Sequence, residues 1–173
     1  HNSIIKLHDP KNIGIINSSY YKRLAFDEIL SSFLISSEIR KKIKKIKKKG
    51  KKINFSLQDA LIRKLSFSLT NDQLNSIKQI NKDLSTTTKM FRLLQGDVGS
   101  GKTIVALLSA YNTINSGYQV AFMAPTEILA RQHYNLVKEI FPNNIKIELI
   151  SGKSDYKNKK IILEKLKNNK IDI

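Results

Sequence analysis

Residues 96–103 read Gly-Asp-Val-Gly-Ser-Gly-Lys-Thr. This stretch has the spacing G-x-x-x-x-G-K-[ST], and no other feature narrows the fold so sharply. Glycine at 96, 99 and 101 allows positive φ and close approach of the main chain to an anion. The loop N–H groups then converge into a nest for phosphate oxygens. A helix expected from Lys102 onward adds the positive end of its dipole. Lys102 supplies a mobile ammonium for the β- and γ-phosphates, and the Thr103 hydroxyl can ligate Mg²⁺. Asp97, Val98 and Ser100 complete the set of loop residues expected to line the nucleotide.

The flanks agree with the motif, which requires a strand before it and a helix after it. Met90–Gln95 is a short apolar run suited to a buried strand, and Ile104–Tyr111 reads as a helix packed on a sheet. Downstream, 119–124, 145–150 and 170–173 read as further strands. Helices are expected from Glu127 to about Ile140 and from Asp155 to Asn168. Gly117 is the expected C-cap of the helix after the loop. Strands alternating with helices predict an α/β fold with a parallel sheet and right-handed crossovers.

Upstream of the loop the pattern changes. Ile4-Ile5-Lys6-Leu7 suggests a short strand, and His8-Asp9-Pro10-Lys11 a turn. Residues 23–49 predict one long helix with an apolar stripe through Leu24, Ile29, Leu30, Phe33, Leu34 and Ile39. It ends in a lysine-rich run at 40–49, with Gly50 as its expected C-cap. A short helix is expected over 55–66. A longer one follows, N-capped by Thr70 or Asn71 and carrying Leu74, Ile77, Ile80 and Leu84. The chain thus divides into a linker with a long basic helix, 1–54, and a P-loop domain, 55–173.

The chain has 173 residues, no cysteine and a formal net charge of +17. It can form no disulfide and no cysteine-based metal site. Its three histidines are scattered, and no apolar run reaches the length of a membrane span. A field this positive favours polyanions, nucleic acid foremost. Only five of the 31 basic residues are arginine, so part of the charge also reads as lysine-rich composition on a solvated surface. The same two readings apply to Lys44, Lys45 and Lys48. They could grip a nucleic-acid backbone by displacing counterions, or form a charged, frayed helix end.

The segment Leu94-Gln95-Gly96 through Thr103, followed by Met123-Ala124-Pro125-Thr126-Glu127-Ile128-Leu129-Ala130-Arg131-Gln132-His133, resembles the first motor domain of superfamily-two DNA helicases. Within them it is most similar to the RecG type. Arg23–Leu30 and Phe67–Thr70 resemble that family's linker before the motor. The resemblance implies a partial RecA-like domain that binds ATP with Mg²⁺ and acts on branched or forked DNA in recombination and replication-fork repair. Apart from the resemblance, the first residues do not read as a signal peptide, so a cytoplasmic setting is the default expectation; a monomer is expected, and a start at His1 with an end at Ile173 suggests part of a longer protein.

Residue by residue, the resemblance gives Gln73 the adenine edge, which suits an amide that donates and accepts at once; an exposed helix residue is the other reading. Phe67 would flank the base or pack in the core. Pro125 and Thr126 would contact the backbone of a DNA strand, although Thr126 can equally serve as an N-cap alone. Ser151-Gly152-Lys153 would form a small loop near DNA.

There are departures. Ser66 stands where the family usually has proline, and the family's upstream wedge barrel is missing. No Asp-Glu-x-His box follows His133. Phosphoryl transfer needs an acid on Mg²⁺, a group that orients water and an arginine finger. The expectation is therefore an ATPase in the parent protein, with little turnover by this segment alone. Two alternatives remain: a basic nucleic-acid-binding module with a non-hydrolysing P-loop, and the motor of a transcription-repair coupling translocase.

Overall fold

The computed structural model describes residues 2–7, 18–45, 47–152 and 155–173. The chain divides into two compact units, His1–Lys47 and Lys48–Ile173. The expected turn at 8–11 lies outside the described residues.

In the first unit, α1 (Asn2–Leu7) packs on α2 (Ser19–Lys45). The strand expected over 4–7 is instead helical: two adjacent isoleucines without alternation give no period-two signal to hold a strand. Helix α2 starts four residues before, and stops four residues before, the stretch read from sequence. Its side chains from Phe26 to Ile39 include seven exposed large apolar residues, with Phe33 at 70%.

The second unit is built on α3 (Phe55–Arg63), α4 (Asn71–Ser85), α5 (Lys102–Asn115), α6 (Glu127–Ile140) and α7 (Tyr156–Lys167). Asn54 caps α3 by accepting from Leu57 N–H. Thr70 caps α4 in a full capping box with Gln73. Helix α5 ends in a Schellman turn: Gly117 N–H donates to Ile114 O, Tyr118 N–H to Thr113 O, and Gly117 takes φ +82°. Ile77, Ile80 and Leu84 of α4 meet Ile104, Leu107, Leu108 and Tyr111 of α5 in one core. Tyr111 also packs on Phe141 with ring centroids 5.3 Å apart. Burying such side chains is worth roughly 1.5–3 kcal/mol each, so this cluster supplies most of the unit's cohesion.

Three buried amides thread the same core. Asn112 Nδ2 donates to Gln58 Oε1 at 2.7 Å and to Asn81 Oδ1 at 2.8 Å, and Asn81 Nδ2 donates to Gln58 Oε1 at 2.7 Å. They come from α5, α3 and α4, and together satisfy groups that would be costly to bury alone.

The expected strands are extended, but no β-strand is assigned among the described residues. Segments 119–124, 171–173 and 145–150 lie side by side through a few backbone bonds: Val120 N–H to Asp172 O, Asp172 N–H to Lys146 O, and Glu148 N–H to Ile173 O. Residues 90–95 pair with no strand, and Phe91 and Leu93 are 72% and 85% exposed.

Residues 48–53 belong to the second unit. Gly50 does not cap α2; it lies against the end of α4, where an added Cβ would sit 2.3 Å from Ser85 O. Its glycine is required by close approach, not by a helix terminus.

Candidate functional site

The loop 96–103 joins an extended segment to α5, as its sequence requires. Gly99 and Gly101 take φ +82° and +77°, conformations in which a β-carbon is strained. Gly96 does not have positive φ, contrary to the reading above. It is constrained by space instead, since its Cβ would lie 2.8 Å from Ser100 Oγ. Gly101 is constrained twice, because a Cβ there would also meet Gln73 Nε2 at 2.3 Å. Ser100 N–H closes the turn on Asp97 O at 3.2 Å. Asp97, Val98 and Ser100 are exposed, so the loop faces solvent.

Lys102 begins α5 and folds back over the loop. Its ammonium donates to Gly96 O at 2.8 Å and Asp97 O at 2.5 Å, and reaches Ser100 Oγ at 3.4 Å. Thr103 follows it in the first helical turn, partly buried.

Gln73 is wired to this loop. Its carbonyl oxygen accepts from Thr70 N–H at 2.9 Å, and its Nε2 donates to Ser100 O at 3.0 Å. One amide proton and one oxygen lone pair remain for another partner. Phe67, four residues before the α4 start, is 51% exposed and outside the core. Core packing is therefore not its role here.

One further residue near the loop carried no signal in the sequence. Arg92 converges Nε and Nη2 on Asp83 Oδ2 at 2.9 and 2.6 Å, and Nη1 donates to Gln79 Oε1 at 2.9 Å. It ties the segment entering the loop to α4. Its pairing at i−9 and i−13 has no helical or strand period, which is why spacing alone could not find it.

The other expected sites lie apart from this loop in sequence. Thr126 caps α6, its Oγ1 accepting from Leu129 N–H at 3.3 Å, and Pro125 beside it is exposed. Glu127 follows in the first turn and pairs with Arg131 at 2.9 Å. Lys153 and the side chains of Lys44 and Lys45 lie outside the described residues. Lys48 is described, and its ammonium is occupied. It donates to Leu84 O at 2.7 Å, Thr86 O at 2.9 Å and Asp83 O at 3.4 Å, capping the carbonyl end of α4. Burial there lowers its pKa, Lys51 adds to the shift, and Asp83 opposes it. A lysine so engaged is a structural cap, which corrects its assignment to DNA.

A family profile described as DEAD/DEAH box helicase matches residues 68–173, which hold Gln73, Arg92 and the whole loop. The chain belongs to that family. Among curated relatives, it is 43% identical over 180 residues to ATP-dependent DNA helicase RecG of Aquifex aeolicus, covering 98% of this chain and 22% of the relative. It is 44% identical over 165 residues to that of Borreliella burgdorferi, covering 94% and 24%. A solved structure of RecG bound to a three-way DNA junction superposes with a TM-score of 0.77 at 41% identity, over 87% of this chain and 21% of that one. The chain thus spans about a fifth of the length of the curated relatives it matches. The RecG-type resemblance seen in the loop and the Pro125-Thr126 segment therefore extends through nearly the whole chain. Among the described residues no helix is long and apolar enough to cross a membrane.

Proposed function

We propose that this chain is the nucleotide-gripping start of a RecG-type motor that couples ATP hydrolysis to movement along branched or forked DNA. The observation that carries the proposal is the loop itself. Two glycines at positive φ and a third crowded against Ser100 give it a bare main chain that side chains would strain or crowd. The named activity of relatives that match nearly the full chain supports it.

In this reading Gly96, Asp97, Val98, Gly99, Ser100 and Gly101 line the phosphates. Lys102 exchanges its loop carbonyls for phosphate oxygens. The exchange is favourable because an ammonium pairs more strongly with an anion than with a neutral carbonyl. Thr103 would hold Mg²⁺, which supplies charge neutralisation on the phosphates when bound. Gln73, with its remaining donor and lone pair, reads adenine, and the exposed ring of Phe67 lies against the base. Pro125 and the N–H groups at the start of α6 meet a DNA phosphate without reading sequence. The extended segments pair in a parallel RecA-like sheet, as the rising order of the bonds between 171–173 and 145–150 suggests. A cytoplasmic setting belongs to the same proposal, as does participation in recombination and fork repair.

Substituting Lys102→Ala in the intact protein tests this. Phosphate release should fall by about a hundredfold or more, the scale of losing one positioned charge donor in phosphoryl or acyl transfer. Undiminished turnover would remove the loop from the reaction and leave a basic nucleic-acid-binding module as the better description.

A further inference from the structure

Helix α4 grips the chain at two points, one inside the nucleotide loop and one in the segment that leads into it. At its first turn, Gln73 holds Ser100 O within the loop. Near its last turn, Asp83 and Gln79 hold Arg92, four residues before Gly96. The ten residue steps from Gln73 to Asp83 rise about 15 Å along an α-helix that bends little, so the helix fixes the separation of these two grips. Its far end is itself pinned. The carbonyls of Asp83 and Leu84 accept from Lys48 Nζ, Lys51 N–H donates to Leu84 O at 3.0 Å, and Gly50 sits against Ser85. Asp83 thus serves twice, its backbone oxygen in the pinned end and its carboxylate on Arg92.

We propose that Arg92, acting through Asp83 and Gln79, is a positioning residue that sets the nucleotide loop for ATP. The inference rests on the reading of residues 96–103 as the ATP site. A role in stability alone is a poor account of the arrangement. The pair is about one-third exposed on both sides, and ion pairs of this kind add little to folding. Its geometry is nonetheless specific: three guanidinium N–H groups are used, two on a single carboxylate oxygen and one on an amide, an arrangement that a lysine cannot reproduce. Releasing it frees the extended segment that enters the loop. That segment has no strand ladder among the described residues; Met90 and Leu94 pack against the core, and the grip by α4 is the polar restraint added to them.

The test is ATP turnover by the intact protein with four variants: Arg92→Ala, Arg92→Lys, the charge swap Asp83→Arg/Arg92→Asp, and Lys102→Ala. Arg92→Ala should raise the KM for ATP about tenfold, the lower end of what a displaced binding group costs. Its thermal transition should stay close to that of the parent. Arg92→Lys should recover only part of the loss, and the charge swap most of it. Unchanged KM in Arg92→Ala overturns the proposal, whatever happens to the thermal transition. So does a raised KM that the charge swap leaves as it was. Full turnover by Lys102→Ala would instead show that the ATP reading itself has failed. Loss in Lys102→Ala beside a normal KM in Arg92→Ala sinks the positioning role alone.

Discussion

The side-chain amide of Gln73 donates to the backbone carbonyl of Ser100 at 3.0 Å. One residue therefore closes the capping box that starts α4 and steadies the loop that starts α5. It also explains a second demand on Gly101, whose missing β-carbon leaves the room this amide occupies.

Gly101→Ala should accordingly damage the loop more than Gly99→Ala. Both place a β-carbon at positive φ, which costs roughly 1–2 kcal/mol. Only the first also collides with Gln73, since nothing lies within 4 Å of the Cβ position at Gly99. Nucleotide titration of the two variants in the intact protein should show the larger loss of affinity at 101. Equal losses would mean that the Gln73 contact is idle.

The buried amides make a separate forecast. Asn112→Ala strands the Oε1 of Gln58 and the Oδ1 of Asn81 with fewer donors in a dry core. A drop of about 1–3 kcal/mol in unfolding free energy is expected. Asn112→Leu should be no better, because the two acceptors are still left behind. Denaturant midpoints would decide it, and a loss under a few tenths of a kcal/mol would place water or a relaxed side chain in the gap.

Thr126 carries two readings that one pair of substitutions separates. Thr126→Ser keeps the cap on Leu129 N–H, while Thr126→Val removes it at a cost of about 1 kcal/mol. If the hydroxyl also meets a DNA phosphate, Thr126→Val should weaken DNA binding at a temperature where both variants are folded. If only the thermal transition moves, the residue is a cap.

Neutralising Lys41, Lys42 and Lys49, while sparing Lys48, should weaken DNA binding by the intact protein and flatten its dependence on salt. Each lost phosphate contact lowers the logarithmic salt slope by about one. An identical slope would show these lysines to be solvated surface. Lys41 already pairs with Glu38 at 3.0 Å, an exposed contact that phosphate can displace.

What the sequence could reveal followed from local rules. The loop, the helices after it, the Thr70 cap and the Gly117 turn each rest on contacts within a few residues, and all are where the pattern puts them. The misreadings rest on distance. Lys48 looked like part of a charge run, yet its partners lie 35 to 38 positions away. Gly50 looked like a helix end because the reason for its glycine, Ser85, is equally remote. Arg92 stood in an apolar run with nothing nearby to mark it. The Gln58, Asn81 and Asn112 cluster joins three helices, and no local pattern links positions 23 to 54 residues apart. The extended runs after the loop were legible as a pattern, but no strand is assigned among the described residues, and only a few backbone bonds join those runs.

The bare α-carbon at Gly50 sets where this lobe can be cut. A version beginning at Phe55 would look complete by its helices, yet it would lose the ammonium over the α4 carbonyls and the Lys52 carbonyl that accepts from Ser116 Oγ. Any excised form meant for crystals or titration should keep the chain from Lys48 onward, so that the helix under the loop retains its footing.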